Sequence, residues 1–304
     1  MKKLIFTIIL FMSSFAYGFA CLNGYTVILK EGVFLTMEYR SEVPSQKIIV
    51  SNKEIKKLII KFDSFYKATK NLEYLSDKGI LLIYDKQYKE AINLYLTIEK
   101  TKPNKYSTAS NLGTAYELIG DNINALKWIK KAVEIDSSSH YRSEWIHINI
   151  LKAKIKGNNL INSSFLINTE FCNDTLPKSN LSESELIMLH LALGYQLGER
   201  MTFIAPKDKI VAELLFELGN IMMLRKSYSF AIQNYEHAKE YGFTDSIIDI
   251  RLKKLINITT PKMYTEKVDE SKWSGLTYYL IGGGGILILL LGYFFRKRLL
   301  KQFY

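Results

Sequence analysis

The chain has 304 residues, 48% hydrophobic and 23% charged, which excludes a wholly disordered polymer and leaves room for one or two domains. A net charge of +11 would suit nucleic acid if spread over one face. Lys2, Lys3, Arg296, Lys297, Arg298 and Lys301 instead sit at the two ends, so the body carries only +5, and no nucleic-acid partner is expected. Two cysteines, Cys21 and Cys172, are too few for a disulfide scaffold or a four-cysteine zinc site.

Residues 1–20 read as a secretory signal: Lys2 and Lys3 form the positive region, 4–12 the apolar stretch, and small residues follow. Ala16-Tyr17-Gly18 and Gly18-Phe19-Ala20 both fit a small-x-small cleavage rule. The second would leave Cys21 first, the position lipidated in bacterial lipoproteins, although Gly18 stands where such a site wants an aliphatic residue. Retention of the segment as an anchor is the alternative, since no charge appears from residue 4 to 29. Residues 21–50 form an N-terminal hairpin segment, with β-rich stretches at 25–30 and 33–39 around Glu31-Gly32. Ser51 and Glu54 then cap a helix whose apolar face is Ile55, Leu58, Ile59, Phe62 and Phe65.

A period of 34 residues organises the body, taken as 51–258. Gly79 and Gly113 are 34 apart, as are Ala91 and Ala125, Tyr95 and Ile129, and Ile98 and Ala132. Two tandem units follow, 72–105 and 106–139, and a third copy at 212–245 carries Leu218, Gly219, Ala231, Tyr235 and Ala238 in register. Small residues at those offsets let two helices approach while large ones fill the groove beside them. The interval from 140 to 211 has room for two diverged hairpins with an irregular insertion near Pro177. Ser182 with Glu185 makes a capping box for a helix ending near Arg200. A last helix over 244–256 would cover the exposed end of the stack.

A linker, 259–273, leads to an uncharged run at 276–295, long enough to cross about 30 Å of hydrocarbon as a helix. The span is taken as 274–295, with Tyr278, Tyr279 and Tyr293 near its ends. Gly282 to Gly285 permit close helix approach, which keeps a homo-oligomer open. The tail 296–304 holds Arg296, Lys297, Arg298 and Lys301 and marks the cytoplasmic side. The expected placement is therefore single-pass in the inner membrane, with the body in the periplasm and the C-terminus in the cytoplasm.

The repeated units resemble the tetratricopeptide repeat (TPR), a helix–turn–helix of this length. The pattern is similar to that of membrane-anchored tetratricopeptide proteins of Bacteroidota-type bacteria. The resemblance implies an all-α helix–turn–helix solenoid, a TPR-like superhelix, here joined to the short N-terminal β-hairpin and one C-terminal transmembrane helix. It also implies a concave groove that takes a protein or peptide partner. Groove positions fall on Glu73, Ser76, Ile80 and Tyr84 in the first unit, and on Ser107, Ser110, Asn111, Thr114 and Glu117 in the second. In the third they fall on Glu213, Phe216, Asn220 and Met223. Of the residues that grip carboxylate tails in some relatives, only Asn111 has a counterpart, so a carboxylate clamp is disfavoured.

No nucleophile elbow, P-loop or dinucleotide fingerprint occurs. His140, Glu144 and His147, placed on one helix, have no second Glu-x-x-His to complete a carboxylate-bridged metal site, and read better as a polar face. No catalytic, metal or cofactor residue is assigned. A Cys21–Cys172 bridge stays open in an oxidising compartment. The sequence thus points to a non-enzymatic interaction scaffold or adaptor, the alternative being a ligand-binding sensory ectodomain that signals through a separate membrane partner.

Overall fold

A computed structural model describes residues 26–37, 43–45 and 50–259. The secretory signal, Cys21, most of the linker, the 274–295 span and the basic tail lie outside them. Among the described residues no helix is long and apolar enough to cross a membrane.

Strands β1 (Thr26–Leu29) and β2 (Val33–Met37) pair antiparallel around the turn Lys30–Gly32. Glu31 and Gly32 take left-handed backbone, φ 66° and 71°, which reverses the chain within three residues. Alternation buries Val27, Leu29 and Leu35 and leaves Ile28 and Phe34 outward. Helix α1 (Asn52–Thr69) starts at Ser51, whose hydroxyl accepts the Glu54 N–H at 3.3 Å. It buries Ile55, Leu58 and Phe62, each contributing about 1.5–3 kcal/mol by area. Phe62 and Phe65 pack on Tyr74 with ring centroids 5.8 and 5.2 Å away.

Six helices then form three hairpins: α2 (Leu72–Tyr84) with α3 (Tyr88–Thr101), α4 (Tyr106–Leu118) with α5 (Asn122–Ile135), and, after an interval, α9 (Lys209–Leu224) with α10 (Tyr228–Tyr241). The same contact closes each. A Cβ on Gly79 would lie 2.5 Å from the Tyr95 ring, one on Gly113 2.4 Å from Ile129, and one on Gly219 2.5 Å from Tyr235. Only glycine admits those side chains, each placed sixteen positions further on. Ala91, Ala125 and Ala231 are fully buried at the same interfaces.

The interval differs from the two hairpins expected there. It holds only two full helices, α6 (Glu144–Lys156) and α8 (Glu183–Phe203), separated by an irregular stretch with a single turn, α7 (Ser163–Leu166). The insertion turns back through polar, asparagine- and serine-rich sequence and contributes Leu166, Ile167 and Phe171 to the core. Helix α8 opens with the expected capping box but runs past Arg200, because apolar contacts continue to Phe203. Helix α11 (Ile247–Thr259) ends the described chain and buries Ile247, Ile248 and Leu255.

Candidate functional site

The inner faces of the first two hairpins are covered by the chain itself. In the first unit the β-hairpin tip sits on α2: Lys30 Nζ bonds Glu73 at 2.7 Å, the Lys30 N–H donates to Asp77 at 2.6 Å, and Tyr74 donates to Glu31 at 2.6 Å. Burial pushes the Asp77 carboxyl up to about 6 despite that N–H. Ser76 and Ile80 are buried, and Tyr84 packs on Phe203 of α8 at 5.3 Å. Helix α8 is 21 residues long, so its last turns reach the helices of the first two units.

In the second unit Ser107, Ser110, Asn111 and Thr114 are buried. Asn111 donates to the Tyr95 hydroxyl at 2.9 Å, and that hydroxyl donates to the Ser76 carbonyl at 2.8 Å, joining successive units. Glu117 is the hub of a buried ion cluster: Arg200 at 2.8 Å, Lys154 at 2.6 Å and His147 Nε2 at 2.7 Å. Burial opposes its charge, but Arg200, His147 and Lys154 together hold the carboxyl well below the usual range. Burial likewise disfavours the His147 cation, yet Glu117 and Glu144 push it up to about 9.

The His140, Glu144 and His147 set belongs to this cluster. His140 lies in a 3-10 turn before α6 rather than on the helix itself, where a helical face had been expected. Its Nδ1 is 2.6 Å from Glu144, its ring stacks on Tyr195 at 4.8 Å, and Tyr106 donates to Glu144 at 3.1 Å. Among the described residues no group has the arrangement of a metal site. A cavity of about 290 Å³ lies beside the cluster, between α4, α6 and the end of α8.

The third unit is different. Its inner face lines a cavity of about 750 Å³, bounded on other sides by the insertion and by Gly242, Phe243, Thr244, Asp245 and Ile247. Glu213, Phe216 and Asn220, three of the expected groove positions, all line it, while Met223 is buried against Tyr235 behind them. Phe216 stacks on Phe243 at 4.2 Å. Burial pushes Glu213 up to about 7 and Glu217 up to about 8, opposed by groups of Ser163 and, for Glu217, by the Asn220 amide at 2.9 Å.

Arg251 of α11 is 1% exposed and completes the wall. It donates to Asn220 Oδ1 at 2.5 Å, to the Cys172 carbonyl at 2.5 Å and to the Asp174 carbonyl at 3.1 Å, fixing the insertion to the stack. Arg200, Lys154, Glu199, Glu217 and Arg251 were not singled out from the sequence. One signal was present: Arg251 lies 34 residues after Glu217, as Asn111 lies 34 after Asp77.

The recurring glycine-to-side-chain contact, the paired antiparallel helices and the hydrogen-bonded link from the first unit to the second define a TPR-like helical-repeat protein. No family model matches the chain, and no curated protein sequence matches it. Among solved structures it is similar to a tetratricopeptide repeat protein from Parabacteroides merdae ATCC 43184. The two are 16% identical over 67% of this chain and 79% of that one, with a TM-score of 0.34. The class rests on the repeated contacts rather than on that overlap.

Proposed function

We propose that the protein is a non-enzymatic interaction scaffold whose partner-binding surface is the inner face of the third hairpin. The observation that carries this is the division just described. Inner positions of α2 and α4 are largely taken up by the β-hairpin and α8, leaving about 290 Å³ beside Glu117, whereas those of α9 line a cavity of about 750 Å³. A peptide segment entering there meets an aromatic wall, Phe216 with Phe243, and two desolvated carboxyls that favour a basic side chain. The body would face the periplasm, tethered by 274–295, with the basic tail inside; the charge pattern of the sequence supports that placement.

A photoreactive residue placed at Phe216 in intact cells should yield a discrete protein adduct, while one at exposed Ile123 should not. Equal labelling from both sites, or none from Phe216, would overturn the assignment. A reporter active only in the periplasm, joined after residue 272, should be active, as should a cytoplasmic one joined after Tyr304. The opposite pattern would sink the proposed orientation.

A further inference from the structure

The smaller cavity, beside the Glu117 cluster, has a property that the larger one lacks. Four of the side chains lining it carry a buried polar atom with no hydrogen-bond partner, and while His147 Nδ1 at least faces the Glu144 carboxylate at 3.4 Å, three have no counter-group at all: Thr114 Oγ1, Glu199 Oε2 and Arg200 Nε. Thr114 and Arg200 are 7% and 6% exposed. Orphaned buried polar atoms are costly and uncommon in folded chains, so three around one space ask for an occupant. Other charges at the cavity are already engaged. Glu117 is held by His147, Lys154 and the Arg200 terminal nitrogen, and Asp208 accepts the N–H groups of Ile210 and Val211 that open α9. The remaining wall is apolar, from Leu118, Phe203 and Ile204.

From this geometry we infer that the cavity between α4, α6 and α8 binds a small zwitterion, a free α-amino acid with an apolar side chain. Its carboxylate accepts from Arg200 Nε and the Thr114 hydroxyl, its ammonium donates to Glu199, and its side chain rests on Phe203, Leu118 and Ile204. One ligand of this class satisfies the three groups that have no counter-group in the protein, Thr114, Glu199 and Arg200. A simple carboxylate would leave Glu199 unpaired, and a simple amine would leave Arg200 and Thr114 unpaired. The size agrees: about 290 Å³ is room for about ten waters at roughly 30 Å³ each, ample for a side chain such as leucine's. Burial and the neighbouring Glu144 push Glu199 up to about 7, with His147, His140 and Arg200 opposing. An ammonium beside it would favour its charged form. The site is separate from the third-hairpin surface, and neither reading depends on the other.

Calorimetry on the full-length protein in detergent tests this with three probes: leucine, 4-methylpentanoate, which lacks the ammonium, and 3-methylbutylamine, which lacks the carboxylate. Leucine should bind saturably, one per chain, and each truncated probe about tenfold more weakly or worse, as expected when a buried charged partner goes unsatisfied. Thr114→Val should weaken leucine by about fivefold while leaving the melting temperature of the unliganded chain unchanged or higher, because the lost hydroxyl has no partner to give up. Glu199→Gln should weaken leucine but not 4-methylpentanoate. Absence of leucine binding would mean the space holds only water and would overturn the inference. So would equal affinity for all three probes, or a Thr114→Val chain that melts lower yet binds leucine normally.

Discussion

Glu117 on α4 and Glu217 on α9 both belong to first helices of repeat hairpins, and both are walled off from solvent, yet they are held in opposite charge states. Glu117 has three cationic partners within 2.8 Å, which overcome desolvation and keep it ionised. Glu217 has a neutral amide donor and a second carboxyl, Glu213, one turn away, so burial prevails and the group holds its proton to about 8. Arg251 is near, but its N–H groups are directed at carbonyls of Asn220, Cys172 and Asp174. One scaffold thus builds a closed, ion-locked interior at one end and an unneutralised recess at the other. The difference lies in what packs on each inner face, not in the hairpins.

The largest expected effect tests the locked side. Glu117→Gln leaves Arg200, His147 and Lys154 without their common anion and should cost about 3–5 kcal/mol, read by urea melting at pH 7. Glu217→Gln, the same change on the open side, should stay within about 1 kcal/mol, since the neutral form already prevails there. Similar losses from both would erase the distinction.

Next in size are the hairpin contacts common to both regions. Gly219→Ala drives a methyl into the Tyr235 ring and Ala125→Leu overfills a fully buried site, and each should cost about 1–3 kcal/mol by thermal melting. A tolerated Gly219→Ala would show that this hairpin is not closed as described.

A pH series should sharpen the contrast further. Folded Glu213 and Glu217 titrate above their ordinary value of 4.5, so the folded chain binds more protons there. Their contribution is full below about pH 4.5 and lost as pH rises through about 7 to 8. The Glu117 contribution has the reverse sense, present above that value and lost on acidification. His147 adds stability below its ordinary 6.5 that is lost through about 9. The double change Glu213→Gln, Glu217→Gln should flatten the decline in melting temperature between pH 5 and 8, and an unchanged slope would refute the assignment. The smallest effect is Ser182→Ala, which removes the cap of α8 and should cost about 1 kcal/mol.

The hairpins were legible because their signal is local and recurrent: a glycine, and sixteen positions later the side chain that needs it. The caps at Ser51 and Ser182 were legible for the same reason, since partner and cap are three residues apart. The covering of the first two inner faces was not. It depends on Arg200 meeting Glu117 and Phe203 meeting Tyr84 across large separations in sequence, which no periodicity encodes. Positions such as Ser110 and Ile80, which the repeat alone would turn toward a groove, are therefore fully buried. The missing hairpin between 140 and 211 has a related cause. The insertion buries Leu166, Ile167 and Phe171 without a helical period, so its apolar residues could be counted but not placed.

Helix α11 stands where the first helix of a further unit would begin, with Arg251 one period after Glu217. One period after Gly219 the residue is Lys253, exposed and long. A return helix cannot close on α11 as Tyr235 closes on Gly219, because a Cβ and a charged stem fill the place of closest approach. The close glycine contact that shuts the three hairpins is therefore not repeated on α11. A helix packed on α11 with that same close contact would need glycine in place of Lys253.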